Sequence, residues 1–378
     1  MRRVNIERQA KRMMDEEKGK KSKYYELMEE LKQRIIDGVY KPGEKLPSEN
    51  ELSSTYHVSR QTVRKAIEIL TNAGYVYAEH GRGTFCSELV RHTKQSHNIA
   101  VVTTYLSDYI FPRVIKGIDE VFTEQGYSII LKNTNNSRTN EARCLEELLK
   151  KDIDGMIIEP SKSQIFCRHT NLYKQMDEYQ IPYVFIQGSF MQMDGKPKVL
   201  LDDVKGGYLV TKHLIDLGHK HIVGVFKADD SQGQNRHRGY VRALQEAGLM
   251  YDPDNVIWFY TEDRKVHPYG CILQMIKENR EIDGIVCYND QIAMEVLKAL
   301  EKAGKKVPED ISLTGYDNSY LARGPLYSLT TVSHPQEELG KIAAELLLHL
   351  IQSPDSVKEK TILIEPKLVE GTSCKRRE

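Results

Sequence analysis

Residues 46–70, LPSENELSSTYHVSRQTVRKAIEIL, predict two short helices joined by a tight turn. Ser48 and Glu51 have the spacing of a capping box, in which each side chain accepts a hydrogen bond from the other residue's backbone amide. The first helix ends near His57, and Ser59 can cap the second helix. The second helix repeats its apolar residues at i, i+3, i+4 and i+7, as a helix packed on a core does: Val63, Ala66, Ile67 and Leu70.

The polar residues of the second helix lie in its first two turns, away from this apolar stripe. A DNA recognition helix presents its N-terminal residues to base edges in the major groove, where arginine pairs with guanine and glutamine with adenine. Taken alone, a basic helix face is more often a solvated surface, so the neighbouring elements must decide between the two interpretations. The residues concerned are Arg60, Gln61, Arg64 and Lys65.

The stretch after Gly74, YVYAEHGRGTFC, predicts a strand, a turn and a second strand. Arg82 lies between Gly81 and Gly83 at the tip of this hairpin, which is narrow enough to enter a minor groove or to touch a phosphate. A capped helix, a turn, a basic helix and a hairpin thus follow one another. This order indicates a winged helix-turn-helix and favours a DNA contact over a solvated surface.

Residues 24–86 resemble the gluconate-repressor (GntR) family of DNA-binding proteins. The resemblance implies a winged helix-turn-helix that binds double-stranded operator DNA. It rests on the Pro42-Gly43 turn and on the stretches LPSE (46–49), VSR (58–60), TVRKA (62–66) and GRGTF (81–85). The DNA contacts predicted from the helix and the resemblance together are Glu49, Ser59, Arg60, Gln61, Thr62, Arg64, Lys65, Arg82 and Gly83.

The whole chain has 378 residues and a formal net charge of zero, which hides an asymmetry. Residues 1–95 carry 19 Lys and Arg against 14 Asp and Glu, and the remaining residues carry 35 against 40. A basic N-terminal part and an acidic C-terminal part are consistent with a nucleic-acid-binding module joined to a second domain. The length also exceeds one average domain. We therefore predict a flexible arm (1–22), a DNA-binding domain (23–87), a linker (88–97) and an effector-binding and dimerisation domain (98–370).

The sequence lacks the features of a membrane or secreted protein. No apolar run approaches the ~18–20 residues that span a bilayer, and the basic N-terminus has no apolar segment of the kind found in signal peptides. Six cysteines are scattered without CxxC pairs, which is typical of reduced thiols and argues against a disulfide framework or a zinc site. These features predict a cytoplasmic protein without a bound metal.

From residue 98 onward, apolar strand-like runs alternate with segments of helical pattern. Continuous apolar runs spaced by helices are typical of parallel sheets that are buried on both faces. About 280 residues of this pattern are too many for one small sheet, so we expect an α/β domain of two doubly wound lobes, like that of periplasmic binding proteins. The runs are NIAVV, SIILK, DGMIIEP, PYVFIQ, HIVGVF, DGIVCY and ISLTGY.

Ligands of such sheets bind outside the carboxyl ends of the strands, so the residues that follow each strand are the candidates for binding. Each sugar hydroxyl both donates and accepts a hydrogen bond, and charged acceptors with a forked donor therefore suit a buried sugar. Structural alternatives remain, because Asp290 can cap the next helix and Asp317-Asn318 can form a turn. Arg236 can pair with Asp229 or Asp230. The predicted effector contacts are Tyr105, Glu159, Gln187, Arg236, Asp290 and His334.

About residues 98–370 resemble the sugar-binding domain of the LacI family. The strongest stretches are HLIDLGHKHIVGVF (213–226), NRHRGYVRALQEAGL (235–249) and YNDQIAMEVLKALEKAGKKVPEDISLTGYDN (288–318). The chain departs from this family in its GntR-like front end and at Asn318, where the family has a second acidic residue. The resemblance implies a sugar sensor whose effector site includes Glu159, Gln187, Arg236, Asp290 and His334.

The two resemblances together predict a transcriptional repressor that binds operator DNA as a homodimer and leaves it when a sugar binds. The pairing resembles the arabinose repressors of Gram-positive bacteria and implies L-arabinose as the effector, with another pentose or a hexose as alternatives. A sugar-processing enzyme joined to a DNA anchor is the alternative from a different class. The motifs GxxxxGK[ST], HExxH and GxSxG, and a GxGxxG after a strand, are absent, so we expect neither an enzyme nor a cofactor.

Overall fold

The computed structural model describes residues 23–36, 38–72, 74–79, 81–87, 96–106, 109–324, 328–353 and 361–377. They belong to two compact units, which divide between residues 95 and 96. The predicted arm, residues 1–22, and residues 88–95 of the predicted linker lie outside the described residues. Within the described part of the chain, no helix is long and apolar enough to cross a bilayer.

The first unit has three helices followed by an antiparallel hairpin: α1 (Lys23–Ile36), α2 (Glu49–Thr55), α3 (Arg60–Asn72), β1 (Val76–Glu79) and β2 (Gly83–Cys86). The predicted capping box is formed, because Ser48 N donates to Glu51 Oε2 over 2.7 Å and Glu51 N donates to Ser48 Oγ over 3.3 Å. The three helices and the hairpin that follows them confirm the predicted winged helix-turn-helix. Its core contains Leu31, Ile35, Leu52, Val63, Ala66 and Leu70, all of which are buried.

The second unit is an α/β domain in which strands and helices alternate. Its strands are β3 (Asn98–Thr103), β4 (Ser128–Asn133), β5 (Gly155–Ile158), β6 (Tyr183–Ile186), β7 (Lys198–Leu201), β8 (Ile222–Lys227), β9 (Val256–Phe259), β10 (Gly284–Cys287), β11 (Ser312–Thr314), β12 (Thr331–Val332), β13 (Thr361–Ile364) and β14 (Leu368–Val369). Its helices are α4 (Phe111–Glu124), α5 (Arg138–Leu148), α6 (Thr170–Glu178), α7 (Asp203–Asp216), α8 (Ser231–Glu246), α9 (His267–Lys277), α10 (Asp290–Lys302) and α11 (Gln336–Gln352).

Ten strands of the second unit form two parallel sheets, which confirms the predicted two-lobed α/β architecture, and β12 and β14 form a separate antiparallel pair. Lobe 1 has six strands in the order β13-β7-β6-β5-β3-β4, and all its pairs are parallel. Lobe 2 has four parallel strands in the order β11-β10-β8-β9. All six residues of β8 and all four of β5 are buried, because helices cover both faces of each sheet.

The chain passes between the lobes more than once. It leaves lobe 1 after β7, returns to it with α11 and β13, and ends against lobe 2. β13 pairs with β7, so lobe 1 takes an edge strand from near the end of the chain. Ser373 Oγ then donates to Leu313 O over 2.6 Å, and Arg377 Nη2 donates to Asp310 O over 2.7 Å. The second unit therefore continues past residue 370, where the sequence predicted its end.

Glycines allow two pairs of helices to cross at very short range. Between α7 and α8, a Cβ added at Gly207 would lie 2.1 Å from Arg236 O, and one added at Gly239 would lie 2.1 Å from Val204 O. Gly117 and Gly340 make the equivalent crossing of α4 with α11. The first crossing fixes the backbone of α8 at Arg236, whose side chain faces the space between the lobes.

Candidate DNA-binding and effector sites

The start of α3 presents the predicted recognition residues to solvent. Ser59 caps the helix, because its Oγ accepts a hydrogen bond from Thr62 N over 3.2 Å. Thr62 is half-buried, and the Thr62 hydroxyl lies 2.9 Å from the same Ser59 Oγ. The structure thus places a row of exposed donors on the first two turns of α3: Arg60, Gln61, Arg64 and Lys65.

Glu49, at the start of α2, forms an ion pair with Arg64. Arg64 Nε lies 3.0 Å from Glu49 Oε1 and 2.8 Å from Oε2, while the Arg64 side chain remains 69% exposed. The ion pair engages Nε, and the two terminal nitrogens of Arg64 make no hydrogen bond to the described residues. Such a guanidinium is oriented before DNA arrives, which lowers the entropic cost of bidentate pairing with a base.

The hairpin tip carries Arg82 in an exposed position. Its guanidinium forms an ion pair with Glu79 and lies 5.6 Å from the centroid of the Phe85 ring. Gly83 has φ +122°, and a Cβ there would meet Lys45 Cε at 2.6 Å, so only glycine suits this position. The tip therefore combines a slim backbone with cationic side chains, as the sequence predicted for a wing.

In the second unit, a cavity of about 90 Å³, partly open to solvent, lies between the two lobes at the carboxyl ends of the strands. Four of the six predicted effector residues line it: Tyr105, Glu159, Gln187 and Arg236. Its other polar lining residues are Thr104, Tyr109, Asn136, Lys227, Asp230, Gln232, Arg264, Tyr288, Asn289, Gln291 and Asp317.

The wall that lobe 1 contributes contains two polar side chains from strand ends. Glu159 follows β5 and is 6% exposed, and its Oε2 accepts hydrogen bonds from Thr104 N over 2.8 Å and from Thr104 Oγ1 over 2.7 Å. Burial raises the pKa of Glu159 to about 7. Gln187 follows β6 with φ +63°, and its buried Nε2 has no hydrogen-bond partner among the described residues.

Arg236 is the central cation of the wall that lobe 2 contributes. Its Nε donates to Asp203 Oδ1 over 2.8 Å, and its Nη1 donates to Tyr288 O over 2.6 Å. The guanidinium also lies 3.5 Å from the centroid of the Tyr316 ring. Burial raises the pKa of Asp203 to about 6, although the charge of Arg236 opposes this. Arg236 therefore pairs with Asp203, and not with the two aspartates that the sequence offered as structural alternatives.

Asp317 contributes an acceptor to the same wall. It has φ +94° and is 3% exposed. Its Oδ1 lies 3.5 Å from Arg236 Nη2, which is an ion-pair contact and too long for a good hydrogen bond. Within the described chain that oxygen has no hydrogen-bond partner. A buried acceptor without a donor costs free energy unless a ligand or water supplies one.

Two further charges of lobe 2, Lys227 and Asp230, are paired with each other. Lys227 Nζ lies 2.9 Å from Asp230 Oδ2, and Tyr288 OH donates to the same oxygen over 2.7 Å. Asp230 also caps α8 through Gly233 N. Sequence reasoning missed Lys227, Asp230, Tyr288 and Asn289 as lining residues. The sequence did contain a signal for them, since each ends an apolar strand or follows one within three residues.

The structure corrects the predicted roles of Asp290 and His334, which do not line the cavity. Asp290 is fully buried and its carboxylate is already satisfied, because Oδ2 accepts from Ser319 N over 2.8 Å and Oδ1 accepts from Thr331 Oγ1 over 2.8 Å. Asn289, one residue earlier, caps α10 and faces the cavity. His334 is buried beside a different surface pocket, and burial lowers its pKa.

The cavity therefore holds acceptors and donors from both lobes, and the charges of Arg236 and Lys227 are neutralised by Asp203 and Asp230. This arrangement suits a neutral molecule with several hydroxyl groups more than an anion or a cation. In the described ranges, no group of three or more His, Cys, Asp or Glu side chains is arranged to hold a metal ion.

Comparison with known proteins gives matches to both units. Residues 23–86 match the bacterial regulatory proteins of the gntR family, and residues 211–374 match the periplasmic binding protein-like domain. An arabinose metabolism transcriptional repressor of Halalkalibacterium halodurans is 41% identical over 92% of this chain and 95% of its own length. The corresponding repressor of Geobacillus stearothermophilus is 38% identical over 93% of this chain and 98% of its own length.

A solved structure adds a ligand to this comparison. A LacI family transcriptional regulator from Enterococcus faecium with bound ribose is 26% identical to this chain, with a TM-score of 0.63. The match covers 74% of this chain and 100% of that protein. The two-lobed fold is thus one that holds a pentose in a relative.

Proposed function

Because this chain belongs to the family of arabinose metabolism transcriptional repressors, we propose that L-arabinose, bound between its two lobes, releases it from operator DNA. The chain is a sugar-responsive transcriptional repressor of carbohydrate-utilisation genes. Its relatives are DNA-binding repressors and not enzymes. The identity of the sugar is the part that requires a direct test.

One observation supports the binding of a sugar more than any other. Gln187 Nε2 is a buried donor from lobe 1, and Asp317 Oδ1 is a buried acceptor from lobe 2, and neither has a hydrogen-bond partner among the residues described. Both residues line the same cavity. A polyhydroxylated ligand placed between the lobes supplies an acceptor to one and a donor to the other, and removes the cost of leaving both unpaired.

The charges of the cavity support a neutral ligand. Arg236 is hydrogen-bonded to Asp203, with Asp317 at the longer distance of 3.5 Å, and Lys227 is paired with Asp230. A sugar acid or sugar phosphate would have to compete with these carboxylates for the same cations. A neutral pentose only adds hydrogen bonds to groups that are already oriented, which favours L-arabinose and, as alternatives, another pentose or a hexose.

We propose that the chain works as a homodimer in the cytoplasm, with residues 23–87 as the DNA reader and residues from 98 onward as the sensor. Two winged modules then meet two half-sites of an operator. Sugar binding favours the closed arrangement of the lobes, and closure changes the spacing of the two DNA modules. A ligand shifts such an equilibrium only through its preference for one state, commonly ~1–3 kcal/mol of coupling.

Calorimetric titration of the full chain with L-arabinose, D-xylose, D-ribose and D-galactose tests the effector. We expect L-arabinose to bind most tightly, to be recovered unchanged and to weaken binding to operator DNA. Conversion of the sugar would support an enzyme, and tighter binding of another sugar would reassign the effector. Binding of none of them would contradict a sugar sensor.

Gln187→Leu tests the site itself. The substitution removes the unpaired donor but keeps a similar volume, so operator affinity without sugar should be unchanged. Sugar affinity should fall by about tenfold or more, since a hydroxyl loses its donor on burial. Unchanged sugar affinity would place the sugar elsewhere.

A further inference from the structure

Beside the cavity, a lysine from lobe 1 reaches two carboxylates of lobe 2. Lys162 lies in the segment after β5 and has φ +51°. Its Nζ is 2.5 Å from Glu262 Oε1 and 3.4 Å from Asp229 Oδ2. The Lys162 side chain is 16% exposed, Asp229 is fully buried, and Glu262 is 68% exposed. These three residues, here called the lobe latch, do not line the cavity.

The lobe latch is joined to the cavity wall through three further hydrogen bonds. Asn136 Oδ1 accepts from Lys162 N over 2.8 Å, and Asn136 Nδ2 donates across the lobes to Thr261 Oγ1 over 2.6 Å. Thr261 Oγ1 in turn donates to Asp229 Oδ2 over 2.9 Å. Because Asn136 itself faces the cavity, the position of the latch and the position of the wall are coupled.

We propose that the lobe latch is a closing device that sets sugar affinity without touching the sugar, with Lys162 as its positioning residue. This inference rests on the proposed function. The sugar-binding atoms come from both lobes, so tight binding requires the closed arrangement. The measured dissociation constant equals the intrinsic one divided by the closed fraction, and a contact made only on closure therefore raises affinity.

The charges show why opening the lobes is unfavourable for Lys162. Asp229 keeps a second cation of its own lobe, because Lys227 Nζ lies 3.5 Å from its Oδ1. Lys162 would lose both carboxylates when the lobes separate. Glu262 is exposed, so this attraction is screened by salt. A neutral sugar brings no charge, and a salt dependence of sugar affinity consequently reports the latch.

Titration of the full-length protein with L-arabinose at low and high salt tests this inference. Lys162→Met should weaken sugar binding by roughly five- to tenfold and remove most of its salt dependence. Glu262→Gln should weaken it by about two- to threefold, and the double variant should be no weaker than Lys162→Met, as expected for residues that act as one unit. The matched control is Lys132→Met, which breaks a 2.5 Å ion pair with Glu147 inside lobe 1 and should change neither quantity.

The outcomes separate the latch from the proposed function. A wild-type protein that binds none of the sugars would contradict both. A wild-type protein that binds L-arabinose, with Lys162→Met of equal affinity and equal salt dependence, would overturn the latch alone. Should Lys162→Met fail to fold, Glu262→Gln decides, because its side chain is exposed; an unchanged affinity and salt dependence in that variant would also overturn the latch.

Discussion

Arg64 is the residue on which base recognition should depend most directly. Its exposed guanidinium is oriented by Glu49 before DNA binds. Arg64→Ala should cost on the order of 1–3 kcal/mol of operator binding and relax specificity at one base position, because a bidentate contact to one base is lost. Binding to the operator and to its single-base variants at one salt concentration measures both effects.

Arg82→Ala is the comparison for Arg64→Ala, because we propose that the wing-tip arginine contacts the DNA backbone or the minor groove. It should weaken binding to all sequences about equally and flatten the salt dependence of binding. If both variants bound every sequence as the wild type does, the basic face of α3 and the wing would be only a solvated surface.

Glu159 should make the sugar-free protein less stable as the pH rises. Burial raises the pKa of Glu159 to about 7, whereas its ordinary value is 4.5. Between these values the folded chain keeps a proton that the unfolded chain has lost, so the free energy of unfolding falls as the pH rises. Glu159→Gln does not ionise, and relative to the wild type it should gain on the order of 2–3 kcal/mol between about pH 5 and pH 8.

Thermal unfolding of wild type and variant at the two pH values measures this gain. Glu147→Gln is the control, because that glutamate is on the surface in an ion pair with Lys132 and should show a small difference at both pH values. A difference between Glu159→Gln and the wild type that does not vary with pH would mean that Glu159 ionises normally in the folded chain.

Individual site residues could be predicted from the sequence only in part. The rule that ligands bind after parallel strands located Glu159, Gln187 and Arg236 on the cavity. The rule could not distinguish Asn289 from Asp290. The backbone geometry at the start of α10 determines which of these two adjacent side chains faces the cavity. The sequence also could not predict the ion-pair partner of Arg236. Asp203 is 33 positions away in the chain and contacts Arg236 only because α7 and α8 cross.

Secondary-structure elements were predictable where local chemistry defines them. The capping box, the apolar stripe of α3 and the glycine-bracketed wing depend on neighbours a few positions apart. The crossing of α7 with α8 depends on Gly207 and Gly239, which are distant in the chain. Glycine in a helix usually lowers the stability of that helix. The sequence does not indicate that here glycine allows two helix backbones to come into contact.

Gly239→Ala should destabilise lobe 2 by about 1–3 kcal/mol or more, because the new methyl group would overlap the backbone of α7. It should also weaken sugar binding, since α8 carries Arg236. Gly270→Ala in α9 is the matched control: a Cβ there has nothing within 4 Å, so alanine should be neutral or stabilise by up to ~1 kcal/mol. Denaturant unfolding compares the two, and equal stabilities would mean that the helices can separate without cost.

At the scale of the whole molecule, the alternation of apolar runs with helical segments was enough to predict two lobes. The sequence did not predict where the last strands pair, because the sequence of a strand does not indicate which strand it pairs with in a parallel sheet. β13 pairs with β7 although some 160 residues separate them, and the predicted end at residue 370 fell short of the hydrogen bonds made by Ser373 and Arg377.

The full chain should be a dimer at micromolar concentration, with or without sugar. One winged module covers one half-site, and operator affinity in repressors of this kind comes from two half-sites held at a fixed spacing. Sedimentation of the free protein and the stoichiometry of its complex with operator DNA measure this. A monomer in solution that binds DNA one chain per operator would contradict the prediction.

On the ribosome, the position of β13 makes the completion of lobe 1 depend on translation past residue 364. Domains fold as they emerge, so the winged unit and five strands of lobe 1 are synthesised long before residues 361–364. A product that terminates before β13 should therefore retain the winged unit without a complete lobe 1, and we expect it to lack the response to sugar.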